Sequence, residues 1–340
     1  MVRLNRLGRV LGFLLLQAVL AAVLLEGVGR LFDPLGVSYY PETARYLDTL
    51  ILEEPIGYRN RPGLDGRFYG VPIHINAIGL RDRVIGAKEK GEYRILALGD
   101  SVPFGIGVST EEAYPRQLER LLAERHPGRR FRVVNMGVPS YNTEQERIQL
   151  ETLGLALEPD AVTLLFSPND IEPKLWVFEK RRRWYADLAQ RSYAASLLFL
   201  FFRQSEQRLA ELAIASAYAD TPVPAGGVAF SDYRPGSPRW RAVDRALTGI
   251  NRQSKARNIP FILFTNQERP AILSLLEGVA RRERFPLVDL KRQEDPRWAG
   301  QDERLFHNSV TDAHPSALGH AALATLMAEN LEHLFDFSAR

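Results

Sequence analysis

The sequence predicts a three-layer α/β/α domain on a five-stranded parallel sheet, preceded by one transmembrane helix. Three observations carry that expectation. From Tyr93 onward, short apolar runs alternate with longer amphipathic segments. Those runs are apolar on both faces, as strands covered on both sides must be. The first thirty residues hold an apolar stretch close to the length needed to cross a bilayer.

In chain order, Arg3, Arg6 and Arg9 precede an apolar run from Val10 to Leu25 that only Gln17 interrupts. Gly27, Val28 and Gly29 extend it past Glu26. Cationic residues ahead of such a run favour a cytoplasmic N-terminus with the remainder outside. A cleaved signal peptide is the competing reading. No clean small-x-small site follows the run, since Ala21 and Ala22 sit inside it. Residues 1–30 are therefore expected to anchor the chain in the inner (cytoplasmic) membrane by a single pass, with a periplasmic catalytic domain.

Residues 31–90 read as a connecting region. Pro55-Ile56-Gly57-Tyr58 and Pro62-Gly63 are turn signals. Val71, Ile73 and Ile75 suggest a short strand, and Asn76 to Asp82 a turn or loop.

Residues 91–340 carry the sheet. The expected strands are Arg94 to Leu98, Phe131 to Asn135, Ala161 to Phe166, Pro260 to Thr265 and Pro286 to Leu290. Helices are expected over 111–124, 143–157, 240–257, 271–284 and from Pro315 to about Leu334. Thr143 and Glu146 suit a capping box at the start of the second. Right-handed crossovers then place helices on both sides of the sheet. Residues 172–235 break the rhythm and read as a helical insertion. Its run Leu197 to Phe202 is too short to span a bilayer, and 222–227 reads as a flexible link.

Composition excludes several chemistries. A net charge of +3 over 340 residues does not argue for nucleic acid. The basic cluster Lys180 to Arg183 reads as a solvated helix face. The chain has no cysteine, which rules out disulfides, thiolate metal sites and a cysteine nucleophile. The histidines show no metal-ligand spacing, and Gly105-x-Gly107 lacks the third glycine of a dinucleotide fingerprint. No cofactor and no metal are expected.

In open parallel sheets, functional groups gather beyond the carboxyl ends of the strands. Gly99-Asp100-Ser101 follows the first strand and Asn135-Met136-Gly137 the second. Ser167-Pro168-Asn169-Asp170 follows the third, and Asp312-Ala313-His314 precedes the last helix. Those parts suit acyl transfer. A serine hydroxyl is a weak nucleophile until a base takes its proton. His314 can be that base, with Asp312 orienting the imidazole. The N–H groups of Ser101 and Gly137 and the Asn169 amide can face the oxyanion of a tetrahedral intermediate. Asp100 reads as structural, bonding loop amides.

In order and in strand context, Ser101, Gly137, Asn169 and His314 resemble the four blocks of the SGNH (GDSL) hydrolase superfamily. The resemblance covers about residues 93–335 and implies a flavodoxin-like fold and ester chemistry. Asn76 to Asp82, followed by Arg94-Ile95-Leu96, resembles membrane-anchored bacterial members. Two departures stand out. The third block lacks its usual glycine before Asn169. Asp312 and His314 are two apart rather than three, which resembles SGNH-like acetyltransferases of exopolysaccharide export.

The expected function is an extracytoplasmic serine esterase or deacylase acting on O-acyl, above all O-acetyl, esters of cell-envelope glycans or lipids. The rivals are an O-acyltransferase with the same triad and a catalytically idle glycan-binding domain.

Overall fold

The computed structural model describes residues 2–33, 35–174, 192–197, 232–266 and 269–337. Most of the expected insertion over 172–235, including the basic cluster 180–183, nearly all of the run 197–202 and the link 222–227, lies outside the described residues.

By their contacts, residues up to Leu47 form one compact unit with 192–197 and 309–312. Its main element is helix α1 (Val2–Phe32). Within it, Gly8–Phe32 is a 25-residue stretch of mean hydropathy 2.2. At 1.5 Å per residue that is about 37 Å, longer than the ~30 Å hydrocarbon core of a bilayer. Length and composition thus suffice to cross a membrane, as an anchor or as a signal sequence. The Glu26 carboxylate accepts bonds from Ser192 Oγ (2.8 Å) and from the N–H groups of Tyr193 and Ala194 (3.0 Å each). It thereby caps the short helical segment 193–197. Asp33 does the same for the approach to α2 (Tyr39–Leu47), accepting from the N–H groups of Val37 and Ser38.

The second unit begins at Asp48 and contains the sheet. Two antiparallel ribbons come first, β1 (Ile51–Glu53) with β2 (Gly57–Arg59), and β3 (Asp65–Phe68) with β4 (Val71–His74). These short strands lie in the region expected to connect, and by contact they belong to the same unit as the sheet. The sheet strands are β5 (Glu92–Leu98), β6 (Arg130–Asn135), β7 (Ala161–Phe166), β8 (Phe261–Thr265) and β9 (Leu287–Asp289). They are all parallel and lie in the order β6-β5-β7-β8-β9. β8 and β9 start one residue after Pro260 and Pro286, which have no N–H for the ladder but whose carbonyls accept from Val162 and Leu263.

Alternation along the strands decides the layers. On β5, Leu96 and Leu98 join a core beneath α5 (Thr143–Thr152), α6 (Pro238–Lys255) and α7 (Pro270–Glu283). Ile95 and Ala97 join the opposite core beneath α4 (Tyr114–Arg125) and α8 (Ala317–Leu334). Each helix supplies an apolar face, for example Leu118 and Leu122 on α4 and Leu323, Met327 and Leu331 on α8. β5 is the second strand of the sheet, with β6 on one side and β7 on the other, so the chain reverses its winding there. The end of β5 is thus the topological switch point where such folds open a crevice. A one-turn helix, α3 (Ser101–Phe104), sits at that point.

Candidate active site

The turn after β5 is built from its backbone upward. Asp100 caps α3, accepting the Val102 N–H at 3.1 Å. Gly105 ends it in the left-handed region (φ 85°), where its N–H returns to the carbonyls of Ser101 and Val102. Glycine suits that conformation because a Cβ would be strained there. This strand–turn–helix puts Ser101 at the start of α3, 9% exposed, at the carboxyl edge of the sheet.

His314 Nε2 lies 2.8 Å from Ser101 Oγ. Two residues some two hundred positions apart therefore meet at hydrogen-bond distance. The histidine loop is fixed by neighbours. The Asn308 N–H donates to the His314 carbonyl (2.9 Å), and Asn308 Nδ2 donates to the Ile106 carbonyl (2.8 Å). Asn308 thus ties the histidine loop to the turn that carries Ser101. The Ser316 side chain caps α8, accepting the Gly319 N–H.

Asp100 does more than cap. Oδ1 accepts from the Ser167 hydroxyl (3.2 Å) as well as from Val102. Oδ2 accepts from Asn169 Nδ2 (2.9 Å) and lies 3.2 Å from Ser101 Oγ. Asn169, on the short 3₁₀ turn Pro168–Ile171, is thereby oriented beside Ser101. One of its two amide hydrogens is used by Asp100. The serine that replaces the usual glycine of this block supplies one of the Asp100 donors.

Gly137 lies in the loop after β6. Its N–H donates to Asn135 Oδ1 at 2.9 Å, so this donor is engaged within the protein. The glycine also answers a packing demand. A Cβ at 137 would lie 2.2 Å from the Phe104 backbone nitrogen. The second block therefore abuts the Ser101 turn through bare backbone.

Asp312 is buried, and its N–H is held by Ser309 Oγ at 3.0 Å. By its contacts the segment 309–312 belongs with the N-terminal unit rather than with the sheet.

Two buried acids lie near the site. Glu146 on α5 and Asp170 beside Asn169 both have carboxyls pushed well above the usual range. Burial is the main cause for each, reinforced by the negative charge of Asp100, and for Asp170 also by Glu146. The expected capping box is shifted by one residue. Asn142 and Gln145 form it (Gln145 N–H to Asn142 Oδ1, 2.9 Å), which turns Glu146 into the interior.

Sequence reasoning missed Asn308, and it read Arg81 and Asp82 only as loop. A signal existed in the second case: two charged residues directly follow apolar Ile78-Gly79-Leu80. Arg81 is fully buried and donates to the carbonyls of Phe104 (2.9 Å), Gly105 (2.5 Å) and Val108 (2.7 Å).

The GDSL-like Lipase/Acylhydrolase family matches residues 97–322. Solved structures similar to the chain include a lipase/acylhydrolase from Enterococcus faecalis, at 16% identity over 72% of this chain and 97% of that one, with a TM-score of 0.42. A psychrotrophic esterase from Pseudoalteromonas is 14% identical over 71% of this chain and 97% of its own, with a TM-score of 0.43. Comparison with curated proteins found no match. The family match runs from the end of β5 into α8, well over half the chain, and so takes in every strand end that carries a candidate residue. The chain belongs to the GDSL-like lipase/acylhydrolase family and is an SGNH-type hydrolase acting on ester bonds.

Proposed function

We propose that the chain is a serine esterase that removes O-acyl groups, above all O-acetyl groups, from cell-envelope glycans or lipids. The observation that carries the mechanism is the 2.8 Å separation of Ser101 Oγ and His314 Nε2. At that distance the Ser101 hydroxyl donates to the ring nitrogen. His314 takes this proton as Ser101 Oγ bonds to the ester carbonyl carbon. The carbonyl oxygen becomes an oxyanion facing the Ser101 N–H and the free Asn169 amide hydrogen. Collapse breaks the bond to the alcohol, which leaves with the proton from His314. Water then attacks the acyl-enzyme, again giving its proton to His314. The carboxylic acid departs and Ser101 regains its hydrogen. Asp312, two residues before the base, is assigned to orient the imidazole and offset its charge.

Substrate class and location rest on the N-terminal helix. With Arg3, Arg6 and Arg9 on its cytoplasmic side, Gly8–Phe32 would hold the catalytic unit outside the inner membrane, facing envelope esters. The test is labelling of the whole protein with a fluorophosphonate, followed by mapping of the adduct. Labelling of Ser101, with turnover of p-nitrophenyl acetate lost in Ser101→Ala, is the expected outcome. An adduct elsewhere, or near-normal turnover in Ser101→Ala, removes the assignment.

The two-residue spacing of Asp312 and His314 favours a second reading, in which a sugar hydroxyl replaces water as the acyl acceptor. Incubation with an acylated donor and a glycan acceptor separates the two. Acylated glycan forming faster than free acid would establish transfer over hydrolysis.

A further inference from the structure

The residues that fix the Ser101 turn come in part from outside the segment that matches the family. α3 is a single turn, so the carbonyls at its end have no helical partner. Buried carbonyls need donors. Arg81 supplies them. Nη1 donates to Phe104 O (2.9 Å) and Gly105 O (2.5 Å). Nη2 donates to Val108 O (2.7 Å) and Pro72 O (3.4 Å), and the guanidinium lies over the Phe104 ring, 5.1 Å from its centre. Only a planar fork with several fixed donors can gather carbonyls this way, and a lysine ammonium cannot.

Asp82 reaches the same turn from its other side. It accepts the Asn135 N–H (2.9 Å) and pairs with Arg132 (2.9 Å). The Asn135 side chain then donates to Pro103 O (2.6 Å) and accepts from the Gly137 N–H (2.9 Å). The loop carrying both residues is itself tied. Asn76 Oδ1 accepts from Ile78 and Leu80, Asn76 Nδ2 donates to Arg83 O, and Asn60 Nδ2 donates to Gly79 O. Between the carbonyls held by Arg81 lies that of Ile106, which accepts from Asn308, the residue that holds His314. A shift of this turn therefore moves the serine relative to its base.

We propose that Arg81 and Asp82 are positioning residues of the hydrolytic reaction, setting the Ser101 turn against His314 and Gly137. The proposal rests on the assignment of Ser101 as nucleophile. It is tested with Arg81→Lys and Asp82→Asn in the full chain, against Leu331→Ala as a purely core-packing control. Turnover of p-nitrophenyl acetate, the rate of fluorophosphonate labelling and the folded fraction by circular dichroism are measured at one temperature. Per folded molecule, kcat should fall on the order of 10- to 100-fold in both variants, as small misplacements of reacting groups do. KM should stay within about threefold, since the orienting contacts and not the substrate contacts are lost. Labelling should slow in parallel, while Leu331→Ala lowers Tm and keeps its kcat. Turnover within about twofold of the parent in Arg81→Lys and Asp82→Asn would overturn the proposal, and if Arg81→Lys does not fold, Asp82→Asn alone decides. Unlabelled Ser101 in the unaltered protein would remove the serine assignment first, which distinguishes that failure from this one.

Discussion

His320 should make the protein acid-labile in a defined window. It is fully buried on α8, and its Nδ1 accepts the Tyr114 N–H at 3.2 Å, which fixes the neutral tautomer with hydrogen on Nε2. Burial, with smaller effects from the Arg81 and His314 charges, pushes its pKa down to about 3. In the unfolded chain the ring titrates near the ordinary value of about 6.5. A depressed folded value means the unfolded state binds the extra proton between these limits. The contribution is therefore complete above about pH 6.5 and is lost as pH falls toward 3, at about 1.4 kcal/mol per unit. At pH 5 the loss is about 2 kcal/mol. His320→Asn keeps an acceptor for Tyr114 but has nothing to titrate. Urea unfolding of both proteins at pH 7.5, 6 and 5 isolates the term, because other titrating groups cancel in the difference. The variant should be the less stable at pH 7.5 and gain on the parent by about 2 kcal/mol at pH 5. Parallel pH profiles would refute the reasoning.

Asn169→Ala should lower kcat roughly 100- to 1000-fold, the usual effect of removing one oxyanion donor; steady-state kinetics with p-nitrophenyl acetate checks it, and a loss under tenfold would deny Asn169 that role. Glu146→Gln should act on stability with the opposite sign to His320. Its raised folded pKa gives stability that is whole below about pH 4.5 and falls by about 1.4 kcal/mol per unit as pH rises toward the folded value. The Gln variant should therefore be the more stable at pH 8, with an advantage that shrinks toward pH 5; an advantage independent of pH would contradict the assignment. Gly137→Ala should destabilise by about 1–3 kcal/mol through overpacking against the Phe104 backbone; an unchanged Tm would show that the second block can move away.

The strands were legible because both of their faces are apolar, and the candidate site residues stood out because they follow strands that end on one edge. Ser101, Asn169 and His314 could be found that way, each from its place after a strand or before a helix. What sequence could not supply is the direction of individual donors. Gly137 stands at the expected place, yet whether its N–H faces substrate or Asn135 depends on one side-chain rotation at the end of β6. Glu146 misled for a related reason. Three residues after Thr143 it fits a capping box, but the box formed by Asn142 and Gln145 turns the helix by one residue and sends Glu146 inward. The start expected at Glu111 falls at Tyr114 because Ser109 bonds Glu112 through both its N–H and its hydroxyl, closing a turn ahead of the helix. For Arg81 and Asp82 the sequence offers only their place after apolar Ile78-Gly79-Leu80, because their partners, backbone groups and Arg132, lie far along the chain.

Two acceptors lie within reach of the Ser101 hydroxyl, the His314 imidazole and Asp100. Its Oδ2 already accepts the Asn169 amide at 2.9 Å, and the Ser101 oxygen is 3.2 Å away, against 2.8 Å to the imidazole. The shorter contact is to His314 Nε2, which accepts the hydroxyl in the tautomer that carries its hydrogen on Nδ1. Asp100 is thereby left to organise the rim, holding Val102, Ser167 and Asn169 around the nucleophile. Its charge also bears on the acids behind it. Like charges in a buried site raise one another's pKa, and the charge of Asp100 adds to burial in pushing the Glu146 and Asp170 carboxyls up.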